Sequence, residues 1–192
     1  MVRLGDVIAT STGTFTTQCY ELYYSPRLGD LVKTNGEYPT FGVVYNIYTG
    51  GLDPTRKPTA RGQNEKEEED VYNNNPQLKH LLRTEFQAII VGHKMESEML
   101  YHLPPVPPPI YSFVHTCDDE DTKPIILNMS VLRTLAISNL EAVEEVISAY
   151  IRNGFKYQLD NTEFLKIVGV NLVSNLPGEL KKVESILKRV TR

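Results

Sequence analysis

Ser25-Pro26-Arg27-Leu28-Gly29-Asp30 is the turn around which the first half of the chain is organised. Proline fixes a backbone angle that suits a turn and glycine tolerates angles that other residues avoid, so this stretch predicts a tight connection. Leu31–Thr34 follows as a short strand, and Asn35-Gly36 is a typical hairpin signal. The next strand is predicted over residues 38–48, where Gly42 indicates a bulge or a sharp bend.

Four further segments are predicted as strands: residues 15–24, 86–92, 110–116 and 125–127. Residues 103–109 are rich in proline, and this predicts an extended connector. Short strands that are interrupted by glycine and joined by long connections favour a small closed β-barrel.

A long polar loop is predicted over residues 50–74, because hydrophobic patterning is lost there. Asn75-Pro76 then begins a short helix, with proline at the first helical position. The apolar face of this helix is formed by Leu78, Leu81 and Leu82.

The last third of the chain changes to helical periodicity. Ser138 and Glu141 have the spacing of a capping box, and Asn153-Gly154 closes the helix that follows. A second helix is predicted over residues 164–172, and Pro177 opens a third. The apolar stripe of the third helix consists of Leu180, Val183, Ile186, Leu187 and Val190. Such a stripe usually packs in the core, while a partner groove and a membrane contact stay open as alternatives.

These elements predict an α+β fold, with a small closed barrel over residues 1–130 and a helical region over residues 131–192. The chain has 192 residues and a net charge of −4, and its two cysteines cannot form a disulfide framework. It contains neither an apolar membrane span nor the apolar run of a signal peptide, so we expect a cytoplasmic protein.

Nine of the 24 acidic residues lie in two runs, Glu65–Asp70 and Asp118–Asp121. Two solvated loops are the favoured interpretation, and a docking surface for a basic partner is the alternative. Because the chain as a whole is acidic, direct binding to nucleic acid is not expected.

No arrangement of residues points to catalysis or to a cofactor. The glycine-rich phosphate loops and the nucleophile elbow are absent from the sequence. The best metal-binding candidates are His93, His102, His115 and Cys117, which carry zinc-ligand chemistry. Their spacings match no usual zinc pattern, so ordinary barrel and loop residues are the favoured interpretation. No catalytic, cofactor-binding or metal-binding residue is assigned.

Three stretches resemble the HAS-barrel, a family named for HerA and ATP synthase: Gly5-Asp6-Val7-Ile8, the turn that runs on through Leu31-Val32, and Phe41-Gly42-Val43-Val44. The resemblance extends over about residues 3–122. Its structural motif residues are Arg27, Leu28, Gly29, Asp30, Phe41, Gly42 and Gly92.

In that family the barrel precedes a RecA-like ATPase and helps to assemble a hexameric ring, and in HerA proteins it also faces a partner nuclease. No phosphate loop follows residue 121, so the resemblance implies neither ATP hydrolysis nor DNA translocation here. It implies a non-enzymatic assembly or adaptor module that binds protein partners or itself through barrel edges, acidic loops and the helical tail. One alternative is an accessory protein of a DNA-processing ATPase or nuclease. Another is a small-molecule-binding protein or enzyme with a pocket between the barrel and the helices.

Overall fold

Seven β-strands form one antiparallel sheet and seven α-helices accompany it in the computed structural model, which describes residues 1–53, 55 and 57–191. The strands are β1 (Arg3–Thr10), β2 (Thr14–Cys19), β3 (Leu31–Thr34), β4 (Thr40–Gly51), β5 (Leu82–Met95), β6 (Glu98–Leu100) and β7 (Phe113–Thr116). The helices are α1 (Glu68–Asn74), α2 (Leu78–Leu81), α3 (Asp119–Leu127), α4 (Met129–Ala136), α5 (Val143–Gly154), α6 (Asn161–Asn175) and α7 (Leu180–Val190). Pro54 and Arg56, in the predicted polar loop, and Arg192 lie outside the described residues. A mixed architecture with an N-terminal sheet and C-terminal helices is confirmed.

The strands pair in the order β2-β1-β7-β3-β4-β5-β6, and β2 additionally pairs with β5. Strands β3 and β4 form the predicted hairpin, with Leu31 opposite Val43, although its loop is longer than a two-residue turn. The predicted irregularity at Gly42 is confirmed, because the β4–β5 register shifts between Phe41 and Gly42.

Two hydrophobic clusters lie on opposite faces of the sheet. The smaller cluster contains only residues of the strands, among them Val7, Phe15 and Phe86. The larger cluster joins β3, β4 and β5 to α3–α7 and to the segments between them. Successive strand residues point to opposite faces, so Leu31 belongs to the larger cluster and Val32 to the smaller one. The helices therefore cover the outer face of these three strands.

Three predicted strands are wrong in part or in full. The strand over residues 15–24 ends at Cys19, and Tyr23 has a φ of +65°, which an extended strand cannot contain. The strand over residues 110–116 begins only at Phe113, because Tyr111 has a φ of +67°. Residues 125–127 are helical, since the Asp118 side chain caps α3 by accepting a hydrogen bond from the Asp121 backbone.

The helix boundaries also differ from the sequence pattern. Ser138 and Glu141 form no capping box: the Ser138 hydroxyl donates to the carbonyl of Leu135 instead, and α5 begins at Val143. The polar loop is interrupted by α1, and α2 has only four residues, starting at Leu78. The series of C-terminal helices begins with α3, ahead of the predicted division at residue 130, which stays a prediction.

Candidate interaction surfaces

The turn formed by residues 27–30 connects the sheet to α5. The Gly29 N–H donates to the Val44 carbonyl at 2.8 Å, and its φ is +79°. A Cβ added to Gly29 would lie 2.6 Å from the backbone nitrogen of Tyr150. The Asp30 carboxylate accepts from the Arg27 N–H at 2.8 Å and from the Asn153 side chain at 3.0 Å. This turn therefore requires glycine and holds the first helix–sheet contact in place.

The other motif residues also have packing roles. Leu28 packs against the larger cluster, to which buried Phe41 belongs. At Gly42 an added Cβ would lie 2.9 Å from the ring of Phe15, and at Gly92 it would lie 2.5 Å from the carbonyl oxygen of Leu100. Six of the seven motif residues are therefore packed or hydrogen-bonded within the fold, and Gly29 and Asp30 contact α5, whereas the Arg27 side chain is exposed.

A second connection between sheet and helices is a buried ion cluster centred on Asp121. Lys33 on β3 donates to one carboxylate oxygen, and Lys94 on β5 donates to the other at 2.5 Å. Burial favours a raised pKa for Asp121, but the hydrogen bonds and charges of the two lysines outweigh it and lower the pKa. Lys33 also lies 3.6 Å from the carboxylate of Asp118.

The second acidic run begins a helix rather than a loop, and three of its four carboxylates have partners within the chain. Asp118 caps α3 and Asp121 binds the two lysines. Asp119 accepts a hydrogen bond from the Tyr157 hydroxyl at 2.6 Å, which with the charge of Lys156 lowers the pKa of Asp119. Only Glu120 has neither a described side-chain hydrogen bond nor a described ion pair, and it is exposed. The sequence showed the charges but not their partners, which lie on distant strands.

The first acidic run forms the start of α1. Glu67 and Asp70 make a reciprocal capping box there, while Glu68 and Glu69 are exposed in the first turn. Acidic side chains at this end are favourable because the helix dipole is positive at its N-terminus. This run, in contrast to the second, leaves negative charge at the surface.

The four zinc-ligand candidates are divided between two places. His93 is buried and its Nδ1 lies 3.2 Å from the carbonyl oxygen of His102, with ring centroids 5.1 Å apart. Cys117 lies instead beside the Asp121 cluster, where burial raises the pKa of its thiol to about 12. His115 faces Lys33 and Arg3, and burial together with these charges lowers its pKa. Within the described ranges, no three histidine, cysteine or acidic side chains are grouped to hold a metal ion.

Helix α6 is apolar on two opposite sides. Its inner side chains Phe164, Val168 and Leu172 are buried in the larger cluster. Its outer side chains Ile167, Val170 and Val173 are exposed by 45%, 67% and 45%. They adjoin a groove of about 670 Å³ between α6 and α7, which Val170 and Val173 line together with Leu165, Gly169 and Leu187. We call the outer side chains and these groove residues the α6 face. Sequence reasoning did not single it out, although the three-residue spacing of the outer side chains was visible.

The predicted apolar stripe of α7 lies largely inside the chain's own core. Val183, Ile186 and Val190 are buried in the larger cluster, which favours the core interpretation for these three residues. Leu187 is half-buried and lines the groove, and Leu180 is 65% exposed. An intersubunit contact through this stripe would therefore have to use Leu180 and Leu187.

The strand order defines an antiparallel β-domain, and the turn at residues 27–30 packs this domain against α5 of the helical region. Residues 4–92 match the family model of the HAS barrel domain. The N-terminal part of the chain is therefore a HAS barrel domain, a domain that is associated with HerA-type ATPases. The match ends within β5, so β6, β7 and α3–α7 lie beyond it. No curated protein matches the chain. Among the described helices, none is both long enough and apolar enough to cross a membrane.

Proposed function

We propose that this protein is a non-catalytic assembly module that associates with a second copy of itself through the α6 face. The observation that carries the proposal is the apolar outer side of α6. A helix at a protein surface normally has a polar outer side, and a helix that is apolar all round is normally buried. A contiguous exposed apolar patch is typical of an interaction site.

The outer side chains are arranged in a way that suits a twofold contact. If two α6 helices cross antiparallel near Val170, Ile167 of each copy lies near Val173 of the other, because both are three residues from the centre. Gly169 beside the crossing allows close approach of the two backbones. Lys166 also lines the groove and lies 3.5 Å from the carboxylate of Glu163, so this largely exposed charged pair would lie at the margin of the contact, in reach of water. Such a self-complementary patch is the requirement of an isologous dimer.

The interface is expected to be weak. Helix α6 has 15 residues, so it is about 22 Å long. One such helix with Leu187 beside it presents less than the roughly 800 Å² per partner of a standard interface. We therefore expect dissociation constants of about 10 µM, equivalent to about −7 kcal/mol.

Barrel edges support association less well than the α6 face does. The pairing of β2 with β5 supports a closed barrel of six strands, which would leave no open edge among them. Strand β6, with three residues, is then the exposed edge of the described sheet. So short an edge offers few backbone groups to a further strand.

Analytical ultracentrifugation tests the proposal. The wild-type chain at ~100 µM should be mostly dimeric, given a ~10 µM dissociation constant. Val170→Asp should be folded and monomeric, because it places a charge in the apolar contact without touching the core. Leu159→Asp is the matched control, since Leu159 is fully exposed outside α6, and it should behave as the wild type. A monomeric wild type, or an unchanged dimer in Val170→Asp, would refute the proposal.

The second candidate is an accessory protein of a DNA-processing ATPase, and the HAS barrel domain is the observation that favours it. The measurement is the ATPase rate of a purified HerA-type enzyme with and without the chain. A rate that changes saturably would support this candidate. The chain alone should hydrolyse no ATP and give no calorimetric signal with it, as expected of a sequence without a phosphate loop.

A further inference from the structure

A cavity of about 650 Å³ lies where the C-terminal end of β4 pairs with the N-terminal end of β5. It is closed by Tyr23 and by the two short helices α1 and α2, which lie in the segment between these strands. Its apolar wall is formed by side chains that are half-buried or exposed in the chain alone: Leu52, Val71, Leu78, Leu81 and Leu82. Leucine side chains left in water around a concave surface lose the benefit of burial, which an apolar occupant would restore. This cavity is separate from the α6 face, and it does not lie between the sheet and the C-terminal helices, where one of the alternatives placed a pocket.

The polar groups of the cavity are few and mostly cationic or neutral. Lys57 and Arg61 line it, and Arg61 donates to the side-chain oxygen of Asn75 at 3.2 Å. Asp53 also lines the cavity, but its carboxylate accepts from the Thr55 N–H at 2.9 Å and from the Thr55 hydroxyl at 2.6 Å. The acid is thus already engaged locally, while the guanidinium retains further donors for a ligand.

Two tyrosines complete the lining. Their hydroxyl oxygens, on Tyr23 and Tyr72, are 2.6 Å apart and the rings meet edge to face, with centroids 6.4 Å apart. One hydroxyl donates to the other, so the accepting hydroxyl keeps its own proton for a further acceptor. The hydrogen bond with Tyr23 and, to a smaller extent, burial raise the pKa of Tyr72 to about 12, so its hydroxyl is protonated at neutral pH. The backbone of Tyr23 is held in place by its N–H, which donates to the Thr84 hydroxyl at 2.8 Å.

We infer that this cavity binds a small amphipathic anion, whose apolar body packs on the leucine wall and whose carboxylate, sulfonate or phosphate group meets Arg61 and Lys57. Its volume is within the range of small-molecule sites, which are mainly apolar and carry a few convergent polar groups. Among the lining residues the charge favours an anion, because the cationic Lys57 and Arg61 outnumber the one carboxylate, Asp53, which is already hydrogen-bonded to Thr55. The inference is independent of self-association through α6.

Two fluorescent probes that share an apolar body test the inference. 1-Anilinonaphthalene-8-sulfonate carries the anionic group, and N-phenyl-1-naphthylamine is the same ring system without it. The anionic probe should bind the native chain at least about tenfold more tightly, because its sulfonate gains a hydrogen bond to a charged group. Dodecanoate and dodecyl phosphate should each displace it, which compares the two anion sources, and dodecanol should not.

Variants locate the probe. Arg61→Gln should weaken binding of the anionic probe about fivefold and leave the neutral probe unchanged. Leu81→Ser should weaken both probes, because it removes part of the apolar wall. The variant should fold, because Leu81 is 53% exposed. Val170→Asp separates this cavity from the groove beside α6, and probe binding should survive it. Equal affinity for the two probes, or binding lost in Val170→Asp but retained in Arg61→Gln, would overturn the inference.

Discussion

Replacing Asp121 by asparagine should destabilise the protein strongly, although it changes only one charge. The carboxylate is 7% exposed and the Lys33 side chain 11%, so the lysine would keep a buried charge without its main partner. Breaking a buried ion pair from one side costs about 3–5 kcal/mol. Lys94 is 36% exposed and can turn to water, and Asp118 still attracts Lys33 from 3.6 Å. We therefore expect the lower end of that range, about 3 kcal/mol.

Urea denaturation followed by circular dichroism measures this loss. With a slope of about 2–3 kcal/mol per molar, the midpoint should fall by about 1 M. Asp119→Asn is the matched control, because the same exchange two residues away affects a side chain that is 82% exposed. It should cost under about 0.5 kcal/mol. A loss of less than about 1 kcal/mol in Asp121→Asn would show that the cluster is far better solvated than its burial indicates.

The contribution of Asp121 should also depend on pH in a defined direction. Its pKa is lowered in the folded state, so its stabilising effect is fully present above the unfolded value of about 3.9. The effect is lost as the pH falls through the folded pKa. The stability gap between wild type and Asp121→Asn should therefore be constant from pH 5 to neutral pH and shrink below about pH 4. A gap that persists unchanged at low pH would contradict the ionic explanation.

Two further predictions concern the packing of the sheet. Gly29→Ala should lower the free energy of unfolding by about 3 kcal/mol, because of the positive φ and the contact with α5. Gly13→Ala is the control and should change the urea midpoint little, because no atom lies within 4 Å of the added Cβ. Equal effects of the two substitutions would contradict the role given to the turn. Burial raises the pKa of the thiols of Cys19 and Cys117 to about 11 and about 12, so both should react with a disulfide reagent at pH 8 only after unfolding. Fast labelling of the native protein would show that the sheet opens there.

The parts of the fold that sequence reasoning predicted are those in which local chemistry and tertiary structure agree. The turn at residues 27–30, the bulge at Gly42 and the helical character of α6 and α7 each follow from nearby residues. The failures have the opposite origin. Residues 125–127 have the composition of a strand, but Asp118 and the distant lysines fix a helix there. Tyr20–Tyr24 has strand composition too, yet a φ of +65° at Tyr23 ends the pairing.

The candidate sites were less predictable than the fold, because each depends on residues far apart in the chain. The sequence shows that the second acidic run is charged. Its pairing with Lys33 and Lys94 can be predicted only when the strand order is known. The cavity needs Tyr23 and α1 together, which are separated by the whole β3–β4 hairpin. The stripe of α7 was correctly recognised as apolar, while the direction it faces was decided by the packing of α5 against it.

The helical region is bound to the barrel domain in a way that bears on assembly. The larger cluster joins β3–β5 to the helices. Two polar connections add to it: the hydrogen bond between Asp30 and Asn153, and the ion cluster centred on Asp121. Hydrogen bonds and buried ion pairs specify orientation in a way that apolar contacts alone do not. Domains that share only a small polar interface move relative to each other, whereas here a continuous core and two fixed points oppose such motion. The α6 face is thus held at a set position on the barrel domain. A second copy bound there would fix the relative orientation of two HAS barrel domains, which is what an assembly module has to achieve.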